Sequence, residues 1–284
     1  MVGCASLNSQ EAGFSQGEWL KEKAGWVRRE TLRVHQVAPS TRIASSLSPV
    51  EIFTALYYGR LLRFNPKEPY AADRDRLIIS KGHGSIALYP ILADVGYFDN
   101  QELRRVGTAE SFLGGIPDPV VPGFETVNGS LGHGLGVGCG VALALQRTKN
   151  PANVLVLMGD GELYEGAVWE ALLLAPEHHL DNLLLIVDYN KIAMLDYCAK
   201  IIQLEPLVDK FKSFEWVCEE VNGHDVQAVH ASLHRLMRER GGKPKALLAH
   251  TVKGKGVPML EKDSFCHLRT LTHDESQAAL EALK

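Results

Sequence analysis

Cysteine is scarce in this chain of 284 residues, with only Cys4, Cys139, Cys198, Cys218 and Cys266, an odd number that contains no Cys-x-x-Cys pair. That usage excludes a disulfide-stapled scaffold and a zinc knuckle, and it favours a reduced, cytoplasmic setting. Long apolar runs are missing as well. The longest, over 154–158 and 183–187, fall far short of the roughly 20 residues a membrane span needs. The first thirteen residues have neither a basic stretch nor an apolar core, so no export signal is expected. Positive charge is not in surplus either: 30 Lys+Arg stand against 34 Asp+Glu, a net charge of −4, with no dense basic cluster. Neither nucleic acid nor a membrane is therefore an expected partner. What remains is 45% hydrophobic and 23% charged, enough apolar material for one sizeable core and outside the ranges of disordered or collagen-like chains.

Helical and extended patterns alternate along the chain. Leu20, Ala24, Val27 and Leu32 recur at helical spacing and predict a helix over 17–36. A second helix is expected from Ser48, with Pro49 in its first turn and Ser48 and Glu51 forming a capping box. Leu77 to Ile79 reads as a strand, followed by the turn Ser80-Lys81-Gly82-His83-Gly84 and a helix over 86–95. Residues 107–134 have no period and are expected to be a long loop of the kind that binds something. Helices are then predicted over 135–146, 163–175, 204–214, 226–239 and 272–284, interleaved with strands over 153–159, 183–187, 215–220 and 246–250. This alternation points to an α/β fold, a parallel sheet with helices on both faces.

In such sheets ligands sit beyond the carboxyl ends of the strands, where helix N-termini offer N–H groups to anions. Gly159-Asp160-Gly161-Glu162 follows one predicted strand, and Asp188-Tyr189-Asn190-Lys191 closes the next. About one helix, one loop and one strand lie between them, so Asp160 and Asn190 come to neighbouring strand ends, close enough to share an ion. A carboxylate, an amide oxygen and a backbone carbonyl are the hard donors that Mg²⁺ takes together with phosphate oxygens. The glycines flanking Asp160 allow backbone to approach a phosphate. Alone, Gly-Asp-Gly is commonest as a surface turn, but the spacing and the strand context favour the phosphate reading. A dinucleotide site is disfavoured, because Gly132-x-Gly134-x-Gly136-x-Gly138 follows a loop, and no acidic residue closes a strand about 20 residues later.

This pairing resembles the thiamine diphosphate binding motif, and the chain from about Trp19 onward resembles the N-terminal, diphosphate-binding half of transketolase. The resemblance implies a diphosphate-binding (PP) domain over 19–284, preceded by an extension over 1–18 expected to be poorly ordered. It implies thiamine diphosphate with Mg²⁺ as cofactors, the metal held by Asp160, Asn190 and the carbonyl of Ile192. His83 in Ser80-Lys81-Gly82-His83-Gly84 inherits a place against the diphosphate. Gly129, Ser130 and Leu131 match the loop beside the thiazolium ring, with Leu131 packing on it. Gly161 would give its N–H to the diphosphate, and Glu162 falls in the same cofactor-binding turn. Near the end, Lys253 and His267 match the family's closing loop, as a diphosphate partner and a second histidine. Glu165 and, less strongly, Glu170 match residues of an interfacial proton path, although acidic residues also favour helix N-termini for their own sake. His83, Glu165 and His267 are thus the candidate catalytic residues, while His133, His178 and His179 are read as structural.

Two departures bear on the substrate. Arg42 stands where the family has a histidine in a Ser-Gly-His-Pro segment, and Ile116 replaces another in Gly115-Ile116-Pro117-Asp118. Both lost imidazoles normally contact the donor, so Arg42 could take a carboxylate and Ile116 an alkyl group. The glutamate that activates the aminopyrimidine belongs, in the family, to a second domain. The resemblance therefore implies a C-terminal, pyrimidine-binding partner subunit in an α2β2 assembly. The expected function is ketol (C2) transfer from a ketose donor to an aldehyde acceptor; 2-oxo acid-dependent acyloin synthesis ranks second. A non-catalytic scaffold ranks third, because Asp160, Asn190, His83 and Glu165 are retained together.

Overall fold

The apolar runs become five parallel strands, β1 (Arg76–Ile79), β2 (Val154–Gly159), β3 (Leu183–Tyr189), β4 (Val217–Asn222) and β5 (Lys245–His250), in the order β1-β2-β3-β5-β4. The computed structural model describes residues 15–194 and 196–283. Along β2, Leu155 and Leu157 enter one core while Val154, Val156 and Met158 enter the other, and β3 divides its leucines the same way. A strand covered on both faces has no polar side, which is why these segments read as unbroken apolar runs.

One face is covered by α1 (Gln16–Val37), α3 (Val50–Tyr57), α4 (Leu88–Asp94) and α9 (Val226–Arg238). The other is covered by α5 (Gly134–Arg147), α6 (Gly166–Glu177) and α8 (Leu207–Ser213). A third cluster joins α2 (Ile43–Leu47), α10 (Pro258–Glu261) and α11 (His273–Ala282) to Leu32 of α1. A last short helix, α7 (Cys198–Ile201), follows β3. Among the described residues no helix is long and apolar enough to cross a membrane.

Three local expectations are corrected. Ser48 and Glu51 do not cap a helix: α3 starts at Val50 without a side-chain cap. Instead the Ser48 hydroxyl donates to Asp188 at 2.6 Å, and Glu51 accepts from Arg28 at 2.7 Å and hydrogen-bonds His224. Buried charges recruited both side chains, and satisfying such charges outweighs one exposed cap. The helix expected from 163 is a 3-10 turn over Asp160–Tyr164 followed by α6. The N-terminal extension expected over 1–18 lies outside the described residues as far as 14, and Ser15 to Glu18 already form the capping box and first turn of α1. The long loop is present, since residues 105–133 contain neither helix nor strand.

Candidate active site

Four strands deliver short segments to the carboxyl edge of the sheet: Ser80 to His83 after β1, Asp160 to Glu162 after β2, Asn190 to Ile192 after β3, and Thr251 to Lys253 after β5. Asp160 is buried; its Oδ1 accepts the Gly161 N–H at 2.9 Å and its Oδ2 the Lys191 N–H at 2.5 Å. Lys191 adopts a φ of 64°, a left-handed conformation costly for a residue with a side chain, and so turns its N–H onto Asp160. Burial, with Asp188 nearby, pushes the Asp160 carboxyl up to about 7. Asn190 Oδ1 accepts the Ile192 N–H at 3.2 Å, and the Ile192 carbonyl accepts from the Lys253 ammonium at 2.8 Å. Burial, followed by repulsion from Lys81, lowers the pKa of Lys253. Among the described residues no group of three or more His, Cys, Asp or Glu side chains converges. A cation at this edge would therefore draw on the mixed carboxylate, amide and carbonyl set.

Adjoining this set is a buried ion pair that sequence reasoning misses. Lys81 reaches Asp188 and also donates to the Ser45 carbonyl at 3.2 Å, while Asp188 accepts from the hydroxyls of Ser48 and Thr251. Burial works against the charged form, yet Lys81 and the two hydroxyls hold the Asp188 carboxyl below the usual carboxylate range. The signal available was a charged residue at the carboxyl end of each of two apolar strands, where a buried lone charge requires a partner.

His83 and His267 meet edge to face with ring centroids 4.9 Å apart, and His267 Nδ1 lies 3.3 Å from Ser45 Oγ. Burial and Lys81 push His83 down to about 2; burial and Lys253 push His267 down to about 3. Both rings are thus neutral near pH 7 and each keeps one N–H to donate. Arg42 is among the cations that depress both rings, and its guanidinium makes no hydrogen bond or ion pair with the described residues. Ile116 is 49% exposed above the Ser80–His83 turn. A Cβ placed on Gly82 would come within 2.5 Å of Asn128 Cβ and 3.2 Å of Ile116 Cγ2, so only glycine fits beneath them.

Glu162 is buried with its acceptors committed: Oε1 takes the Ser80 hydroxyl and the Gly132 N–H at 2.9 Å, and Oε2 takes the Gly159 N–H at 2.8 Å. One carboxylate therefore pins the ends of β1 and β2 to the loop carrying Gly129, Ser130 and Leu131. Gly129 and Ser130 are exposed on that loop and Leu131 is half-buried. Glu165 is exposed at the start of α6, its Cβ packed against Gly132, whose φ of +79° and lack of space admit no side chain. Glu170 is exposed further along α6. The predicted residues thus gather as an oxygen cluster (Asp160, Asn190, Ile192), with Lys253 on the Ile192 carbonyl, and a histidine pair (His83, His267) within the electrostatic reach of Arg42. Gly161 has its N–H turned onto Asp160, and Glu162 acts from beneath.

Residues 29–283 match the family described as transketolase, thiamine diphosphate binding domain. The 6-deoxy-6-sulfo-D-fructose transketolase subunit SqwG of Clostridium sp. is 35% identical over 266 residues, 93% of this chain and 96% of that protein. An apulose-4-phosphate transketolase subunit of Actinobacillus succinogenes is 37% identical over 267 residues, 93% of this chain and 96% of that protein. The crystal structure of transketolase from Campylobacter jejuni superposes with a TM-score of 0.85 at 30% identity, covering 93% of this chain and 42% of that one. The chain thus spans less than half of that transketolase and nearly the whole length of the two subunits. With the fold, the edge cluster and these matches in agreement, the chain belongs to the transketolase family, as its N-terminal, thiamine diphosphate-binding domain.

Proposed function

We propose that this chain is the diphosphate-binding subunit of a two-component transketolase, transferring a two-carbon ketol unit from a ketose to an aldehyde once a second chain supplies the pyrimidine-binding half. The observation that carries this reading is the meeting, at one sheet edge, of Asp160, Asn190 and the Ile192 carbonyl with Lys253 and two neutral histidines. The residues fit a diphosphate with Mg²⁺: the Lys253 ammonium already rests on the Ile192 carbonyl, so this edge accommodates positive charge beside hard oxygens. Asp160, Asn190 and Ile192 would hold the metal, and His83, His267, Lys253 and the Gly161 N–H would hold the diphosphate. Gly129, Ser130 and Leu131 would line the ring, positioned by Glu162. Glu165, on the surface beside Gly132, is the candidate for proton transfer between sites. Thiamine diphosphate, when bound, supplies the nucleophilic carbon and the electron sink.

A separate partner is supported by relatives of the same length that are named as subunits. The α2β2 arrangement is supported by an apolar face on α5 and α6, where Gly136, Val137, Gly140, Leu173 and Leu174 are all exposed, Leu173 at 62%. Four free cysteines among the described residues fit a reducing cytoplasm. A second reading, acyloin synthesis from a 2-oxo acid, draws on Arg42, whose guanidinium has no partner among the described residues and acts electrostatically on both histidines, and on the exposed Ile116. The test is reconstitution with a pyrimidine-binding chain, thiamine diphosphate and Mg²⁺. Ketol transfer is expected from the mixture and from neither chain alone. Robust transfer by this chain alone, or acyloin formation from pyruvate in place of ketol transfer, would overturn the reading.

A further inference from the structure

Lys253 has two chemical uses at this edge, and they exclude each other in time. As a diphosphate partner its ammonium must face the phosphate oxygens. In the structure it lies 2.8 Å from the carbonyl oxygen of Ile192, the atom proposed above as a metal ligand. The ammonium is buried, 4% exposed, and forms no ion pair with the described residues; of its charged neighbours Lys81 opposes its charge, while Asp160 and Asp188 favour it. Its backbone is fixed on both sides, by Thr251 N–H on the Tyr189 carbonyl at 3.1 Å and Gly254 N–H on the Ala44 carbonyl at 2.9 Å. The four-carbon stem between them has the rotatable bonds needed to move its charge.

We infer that Lys253 is a tethered cation that occupies the Ile192 carbonyl until a diphosphate draws its ammonium away, so that divalent metal enters with the cofactor rather than ahead of it. The inference rests on the metal assignment of the preceding subsection. The local charges explain it: Lys81 and Lys253 balance Asp188 and Asp160. A divalent ion arriving alone would add two positive charges beside a buried ammonium, where solvent screens poorly. Arriving with a diphosphate it adds none in net, and the phosphate oxygens give Lys253 a better partner than a neutral carbonyl. With the ammonium removed, Asp160 loses one of the two lysines that favour its charged form, and metal alone becomes the replacement.

The experiment measures Mn²⁺ binding to the full chain without any diphosphate, by electron paramagnetic resonance, in the wild type, Lys253→Met, Lys253→Gln and the double variant Asp160→Asn/Lys253→Met. Circular dichroism melts establish that each is folded. Both lysine variants are expected to bind Mn²⁺ on the order of tenfold more tightly than the wild type, with the gain lost in the double variant. Equal or weaker binding in both lysine variants overturns the inference, as does a gain that survives Asp160→Asn and so places the ion elsewhere. Failure of the metal assignment itself shows separately, as Mg²⁺-dependent thiamine diphosphate retention that persists in Asp160→Asn. If that retention is lost while the lysine variants bind Mn²⁺ no better, the metal site stands and only the role of Lys253 falls.

Discussion

Lys81 and Asp188 form an ion pair at the carboxyl edge of the sheet, their side chains 2% and 0% exposed, although 107 positions separate them in sequence. The pair draws Ser45 and Ser48 of the α2 region and Thr251 after β5 onto one point, and so fixes the segments that present His267 and Lys253.

Removing one partner of a buried pair leaves an uncompensated charge, which costs about 3–5 kcal/mol, whereas removing both costs less. Lys81→Met and Asp188→Asn are each expected to lower stability by that order, and the double variant to recover a large part. A double-mutant cycle by urea unfolding in which the two losses simply add would show that the pair is not coupled.

Asp160→Ala or Asn190→Ala strips one of few protein oxygens from the proposed metal site while leaving the cores of the sheet untouched. The fold should survive, and Mg²⁺-dependent cofactor retention should not. Calorimetry on the reconstituted complex showing unchanged thiamine diphosphate affinity in both variants would remove these residues from the metal site.

Donor choice is expected to follow Arg42 and Ile116. Where two hydroxyl-reading imidazoles are replaced, unpaired substrate hydroxyls cost about 1–3 kcal/mol each, or roughly 5- to 150-fold each in kcat/KM. Xylulose 5-phosphate should therefore be a poor substrate for the complex, and Ile116→His should improve it. Efficient use of that ketose by the wild type, with no gain from the histidine, would separate these positions from specificity.

Acid should destabilise the protein through its buried histidines. His35 is 1% exposed with Nδ1 2.8 Å from Thr41 Oγ1, and burial pushes it down to about 4. Because the folded-state pKa lies below the unfolded one, the unfolded chain takes up the proton first. The stabilising contribution is complete above about pH 6.5 and is lost as pH falls toward 4, about 3 kcal/mol in all and about 2 of it by pH 5. His83 and His267 shift in the same direction. Urea unfolding at pH 8 and pH 5 checks this: the stability gap between wild type and His35→Gln should shrink at pH 5, and a constant gap would exclude His35 as a contributor.

What was legible in the sequence was whatever a strand end announces. The apolar runs of β2 and β3 stop at Gly159 and Tyr189, so Asp160 and Asn190 could be placed on one edge from the order of residues alone. Ser48 could not be read correctly, because a cap is a local pattern while its partner Asp188 stands 140 positions away. The partners of Glu162 could not be read either, because nothing nearby in sequence shows that Ser80 and Gly132 donate to its oxygens. The short helices α7 and α10, four residues each, carry too little periodicity to register.

The sheet order sets β5 between β3 and β4, although β5 is the last of the strands to be synthesised. Until it emerges from the ribosome, β3, whose seven residues are all buried in the finished sheet, keeps one edge unpaired. Ser45 must likewise wait for His267, 222 positions later. A nascent chain halted after α9 would carry four of the five strands yet offer that apolar edge to any neighbouring strand. The carboxyl edge of the sheet is thus assembled only once β5 is in place, and the preceding interval is when β3 is most open to mispairing.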